Sequence, residues 1–243
     1  MSMYFINGEN GDQVNCGSPS VLDNIFDGGG TVMAWIWPQN YGGAGDGRIL
    51  DKSNNDDADI GWGLLMQDGS DSIEFWVGFL NIFFQSWGGW RTPTDSMDGL
   101  LDSWVHVAVT YNSDSPSNNA SIYLNGVSQS ITETWTPAGS RRSDASYDLI
   151  LGNHDDLGRC LWGWEEDARM YNRILSANEI QTIHAAQGND GIVDGLVARY
   201  LLDQGAEGVT ASGNAVDASI NKNNGSILYS PDWDDGIIKR RRV

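Results

Sequence analysis

The sequence predicts an all-β protein, a two-sheet antiparallel sandwich carrying one short helix, and three observations predict it. Residues 104–111 (WVHVAVTY) alternate in the two-residue period of a strand. Residues 121–131 (SIYLNGVSQSI) set Asn125 and Gly126 between two strand-like arms, and both residues accept the positive φ that a type I′ hairpin turn demands. Residues 149–179 run from an apolar strand through a glycine-broken acidic loop into a second strand, then into a helix with its own start signal, an order that suits the closing segment of a sandwich. The 30 glycines of the 243-residue chain suit many turns and short strands, and a β sandwich commonly reaches this length as one domain.

Taken in order, residues 4–17 open the fold with a strand. Residues 31–37 (TVMAWIW) are apolar on both alternating faces, as a central strand covered on both sides requires, and Pro38 stops it. Residues 42–61, rich in Gly, Asn and Asp, read as a loop. Dense aromatics over residues 73–84 predict one or two strands, followed by a Gly-Trp loop over residues 87–90. Ser176 and Glu179 form a capping box that starts a helix of about three turns, ending at Gln187, with Ile180 and Ile183 facing inward and Gly188 as its stop.

The closing stretch resembles the signature of laminin-G-like, concanavalin A-type jelly rolls in Gly163, Glu166, Asp167, Arg169, Tyr171, Asn172, Arg173, Leu175, Ser176, Glu179 and Ile180. Glu165 stands where that family usually has an apolar residue. Phe5, Asn7, Gly8, Asp12, Val14 and Gly17 resemble the family's opening strand, with Asn7 in place of the usual Asp. With the segments at residues 104–111 and 121–126, the resemblance covers most of residues 4–185 and implies a two-sheet concanavalin A-like jelly roll. Residues 195–205 (GLVARYLLDQG) and the segment after them resemble the piece that usually comes first in this family. A truncated second repeat would leave a strand with no sandwich to join. Circular permutation is the favoured reading: one domain over residues 1–243, in which residues 191–243 return strands to the same sandwich.

The chain has 33 acidic and 14 basic residues, a net charge of −19, so its surface repels nucleic acid and anionic membranes. No run of 18 apolar residues predicts membrane insertion, and the first residues carry no basic, apolar leader, so synthesis in a cytoplasm without export is expected. Lys239, Arg240, Arg241 and Arg242 reverse the charge at the end; they read either as a solvated tail or as a plug for an acidic groove on a neighbour or on the chain's own body. Cys16 and Cys160 are too few for a disulfide framework and are expected as buried free thiols.

Catalytic signatures are sparse. The E-x-D-x-x-E string of same-strand glycosidases is missing, and in Glu165-Glu166-Asp167 neighbouring side chains point to opposite faces. No G-x-S-x-G elbow supports a nucleophile, although the sequence leaves a Ser-His-Asp grouping open. His106, His154 and His184 have no ligand spacing, and His106 reads as structural. The resemblance implies a structural calcium ion, with Glu166 or Asp167 opposite Asn7 and Asp12. Asp56, Asp57 and Asp59 form a second acidic cluster, and Asp155 with Asp156 a third. Among 11 tryptophans, most belong in the core, while Trp87, Trp90, Trp162 and Trp164 sit beside glycine and could stack on a sugar or anchor a protein interface. The expectation is a non-catalytic structural or binding module. By family analogy it resembles a virion-surface component, a capsid decoration or fibre protein, whose partners are other virion subunits, further copies of itself or cell-surface glycans. A calcium-dependent extracellular lectin is the second expectation, and a glycoside hydrolase or lyase with dispersed carboxylates the third.

Overall fold

The computed structural model describes residues 2–5, 11–53, 60–80, 85–205, 209–229 and 231–234. Its centre is the strand Gly30–Pro38, whose alternating side chains are buried on both faces along most of its length. Val32, Ala34 and Ile36 point into the space between two sheets, while Met33 points outward to a second, smaller core. Among the described residues, nine strands form one sheet and ten form the other, and every pairing is antiparallel. Laminin-type resemblance and geometry thus agree on a concanavalin A-like jelly-roll sandwich.

In the first sheet the central strand lies between Val105–Tyr111 and Gly163–Tyr171. The next strand outward, Ser121–Leu124, turns at Asn125 (φ 50°) and Gly126 (φ 76°) into Val127–Ser128, the hairpin the Asn-Gly pair predicts. The helix Ala177–Ala186 lies on this sheet's outer face. Ser176 accepts from the Glu179 amide, and the Glu179 carboxylate accepts from the Ser176 amide, so the capping box is closed; loss of such a cap costs about 1 kcal/mol. Ile180 and Ile183 pack on Met33, Ala108, Tyr123 and Tyr171, each burial contributing about 1.5–3 kcal/mol. The left-handed C-terminal turn begins at Gln187, one residue before the predicted Gly188.

The second sheet runs Thr132–Trp135, Gln85–Arg91, Ser72–Leu80, Gly61–Gln67, Arg48–Ser53, Ile150–Leu151 and Gln13–Asn15, then on to Gly225–Leu228 and Asn214–Ala215. Two expectations need correction here. Residues 48–53, read as loop, form a strand because their polar side chains find partners: Lys52 is sealed inside with Asp23 at 3.1 Å, and Arg48 meets Asp51 at 3.1 Å. Residues 87–90, also read as loop, lie within the strand Gln85–Arg91. Trp62, Leu64, Ile73, Phe75, Val77 and Trp90 from this sheet face the main core.

Residues after the helix add strands to both sheets. Leu196–Tyr200 pairs with Gly163–Tyr171, Asp232–Asp234 with Ser2–Phe5, and Gly225–Leu228 with Gln13–Asn15. Asp217, wholly buried, accepts from the backbone amides of Arg199, Ser219 and Asn223 and so ties the intervening loop to the sheet. No helix among the described residues is long and apolar enough to cross a membrane.

Candidate functional site

The helix covers the outer face of the first sheet. The outer face of the second carries a cleft of about 180 Å³. Its floor follows from strand register. Gly63 opposes Trp76, Trp76 opposes Gly89, and Gly89 opposes Trp135, so glycine and tryptophan alternate across four strands. Each glycine makes room for an indole: a Cβ on Gly63 would lie 2.5 Å from Trp76 Nε1, and one on Gly89 2.3 Å from the Trp135 ring. Trp87, opposite Gly78, meets Trp135 edge-on with ring centres 5.7 Å apart. Trp135 is 44 % exposed, so its ring is available to a ligand.

Polar groups border this floor. In the adjacent row Leu65 opposes Glu74, Glu74 opposes Arg91, and Arg91 opposes Thr132. Asp46, Arg48, Gln67 and Arg159 complete the cleft wall. Asp46 accepts from Gln67 Nε2 and lies 3.3 Å from Arg159. Burial pushes the Glu74 carboxyl up to about 7, against the pull of Arg91 and Arg48 and with a further push from Asp46. A carboxyl that titrates near neutrality inside an aromatic cleft is a mark of a functional site. Glu74, Trp76, Arg91 and Trp135 were not singled out by the sequence. The available signal was the alternation of Trp and Gly within a strand-like run, which places large rings and empty positions on one face.

The four predicted tryptophans do not converge. Trp87 lies in the cleft. Trp90 is fully buried in the core, stacked on Phe75 and donating from Nε1 to Asn119, so it is not the exposed ring expected. Trp162 is partly exposed at a positive φ of 55°, and Trp164 lies on the opposite sheet, 4.5 Å from the Tyr4 ring.

The predicted calcium ligands are also scattered. Asn7, Asp56, Asp57 and Asp59, and the tail Lys239, Arg240, Arg241 and Arg242, lie outside the described residues. Asp167 sits at a bulge in Gly163–Tyr171, where both carboxylate oxygens are taken by guanidinium groups, Arg169 at 2.7 Å and Arg199 at 2.7 Å. Those cations hold its carboxyl well below the usual range despite burial. Such a carboxylate does not fit a calcium ion. Glu166 and Asp12 are buried, the first in the first sheet and the second beside the Gln13–Asn15 strand of the other. Asp155 and Asp156 both face His154 Nδ1, at 3.0 and 3.1 Å. Asp71, Asp95 and Asp98, which the sequence did not suggest, bring carboxylate oxygens within 4.8 Å of one another.

Ser53 and His154 approach to 3.3 Å, so a Ser-His-Asp grouping does exist. Its serine is 4 % exposed and donates to Asp51, an arrangement of a structural hydroxyl and not of a nucleophile. His106 packs with tilted rings against Trp35 and against His184 of the helix, as a structural histidine. Cys16 and Cys160 are buried free thiols, and burial pushes Cys160 up to about 12.

Fold and cleft together define an antiparallel jelly roll with an aromatic, charge-bordered groove on one sheet. A laminin-G-type family model, described as the concanavalin A-like lectin/glucanases superfamily, matches residues 8–181, and the chain belongs to this superfamily. A crystal structure of a Bacteroides ovatus protein, provisionally assigned as carbohydrate-binding, is similar with a TM-score of 0.60 at 20 % identity, covering 96 % of this chain and 60 % of that one. This chain therefore spans 60 % of that protein's length. A heptameric SAP-like pentraxin from Limulus polyphemus is similar with a TM-score of 0.50 at 14 % identity, covering 77 % of this chain and 82 % of its own. No curated protein matches the sequence.

Proposed function

We propose that this chain is a non-catalytic glycan-binding module whose site is the cleft between Trp76, Trp87 and Trp135. The carrying observation is the Gly63–Trp76–Gly89–Trp135 row, which seats Trp76 in the sheet face and leaves the Trp135 indole open, with charged and amide groups at the border. Pyranose rings present apolar C–H faces that stack on indoles and hydroxyls that pair with Gln67, Arg91 and the carboxylates. The similarity to a protein assigned as carbohydrate-binding and to a pentraxin supports a binding role. A glycan array tests it: binding is expected for the parent protein and is lost with Trp135→Ala and Trp87→Ala while the melting temperature holds. An array silent for the parent protein refutes the reading.

One observation favours a second reading. Glu74, pushed up to about 7, has the acidity of a general acid, which a glycoside hydrolase or lyase would use. Turnover of any polysaccharide, lost with Glu74→Gln, would establish it. For the setting, the family analogy suggests a virion-surface module acting with other subunits, and copurification with virions decides it. Structural calcium, implied by the resemblance, is tested by elemental analysis after exhaustive dialysis.

A further inference from the structure

We propose, resting on the glycan-binding reading above, that the cleft selects anionic sugars, and that Arg91 is the residue that takes the sugar's carboxylate or sulfate group. In a chain of net charge −19 an anionic ligand needs a local concentration of cations. Arg48 and Arg159 line the cleft, and Arg91 lines the pocket that adjoins it and shares Gln67, Glu74 and Trp135 with it. Most other cations among the described residues are committed elsewhere. Lys52 is sealed in the interior with Asp23, Arg141 pairs with Asp144, Arg169 and Arg199 hold Asp167, and Arg173 holds Glu179.

These three arginines differ. Arg48 stands 3.1 Å from Asp51, and Arg159 stands 3.3 Å from Asp46. Arg91 is partly exposed, and among the described residues it makes neither an ion pair nor a side-chain hydrogen bond. Its cross-strand neighbours are Glu74 and Thr132. A guanidinium fork left open beside a stacking platform suits bidentate capture of a carboxylate or sulfate, since charge-assisted pairs of this geometry are the strong ones.

Glu74 sets the pH range of this capture. The charged groups around it are Arg91 on the next strand, Arg48 and Asp46 on the far side, with Arg159 and Glu133 along the rim. With its carboxyl pushed up to about 7, Glu74 is neutral below that pH and leaves Arg91 to the ligand. Above it, ionised Glu74 competes for the guanidinium and repels the incoming anion, so affinity for anionic sugars falls as pH rises through 7.

Isothermal titration with uronic acid oligosaccharides, sulfated oligosaccharides and their neutral carboxyl-reduced or desulfated counterparts, at pH 6 and pH 8, tests this. The parent protein is expected to prefer the anionic forms, more so at pH 6, and the two anionic arms tell carboxylate from sulfate. Arg91→Ala is expected to lose about tenfold or more in affinity for the anionic form, the size of a hydrogen-bonded charge contact, and with it the preference for the anionic over the neutral form. Arg91→Lys keeps part of the affinity, and Glu74→Gln keeps binding and loses its pH dependence. Equal affinity for anionic and neutral forms, or an Arg91→Ala protein that melts like the parent and binds anionic sugars as tightly, overturns the proposal while the glycan-binding reading stands. If neither form binds, both fall.

Discussion

Replacement of Glu165 by glutamine is expected to reshape the pH dependence of stability. Glu165 faces the interior between Met3 and Ile36, with no exposure, and neither carboxylate oxygen has a hydrogen-bond partner. Burial pushes its carboxyl well above the ordinary value, so the folded protein holds a proton that the unfolded chain releases. Because the folded state binds more protons in this window, stability falls as pH rises, by about 1.4 kcal/mol per unit from about pH 4.3 up to the folded-state pKa. Glutamine copies the shape of the protonated acid and cannot ionise. Its stability relative to the parent should therefore grow as pH rises above about 4.3, by about 1.4 kcal/mol per unit at most. At about 2–4 °C per kcal/mol for a chain of this size, that slope is about 3–6 °C in melting temperature per pH unit. Paired thermal melts of parent and Glu165→Gln across pH 4–7 measure it. The difference isolates Glu165 from Asp51 and Asp144, which burial also raises and which both proteins share. Parallel pH profiles would show that this carboxyl is solvated and would refute the argument.

Asp167 carries the opposite sign. Its carboxyl is held low by Arg169 and Arg199, so the stability it contributes is present above the unfolded value of about 3.9 and is lost as pH falls below it. Asp167→Asn removes one of the two carboxylates that hold buried Arg169, the other being Asp190, and is expected to cost about 1.5–3 kcal/mol at pH 7, with the deficit shrinking below pH 4, read by denaturant titration. Gly89→Ala is expected to push Trp135 off its seat, because the new Cβ would lie 2.3 Å from a ring at the exposed rim. Glycan affinity should fall and the melting temperature move by no more than a few degrees, checked by titration alongside melting.

Local signals were legible wherever one short segment sets the geometry. The Asn125 and Gly126 turn and the Ser176 capping box depend on a few consecutive residues, and both formed as read. The Arg48–Ser53 strand was hidden because its polar residues mimic a loop, and only distant partners such as Asp23 and Tyr147 explain the burial of Lys52. The Trp87–Trp90 stretch misled for a related reason: glycine reads as a loop residue until the ring it accommodates on the neighbouring strand is known. Trp87 was therefore named as a binding residue without its companions. Glu74, Arg91 and Trp135 join it only through cross-strand register, which no single segment encodes.

The two outer faces of the sandwich show why the cleft lies where it does. On the first sheet, Met33, Ala108 and Tyr171 present an apolar surface, and the Ser176-capped helix covers it. The second sheet presents Arg48, Glu74 and Arg91 beside three indoles, a surface too charged to bury beneath an apolar helix. Leaving Trp135 uncovered costs solvation, and Gly89 opposite it reduces that cost by letting the ring lie against backbone. The same arrangement leaves the other ring face at Trp135 open to solvent, at a height set by the sheet and not by a mobile loop. A platform held this way loses little conformational entropy when a ligand stacks on it. Binding strength should then depend on the polar rim, where Arg91 and Glu74 discriminate one sugar from another.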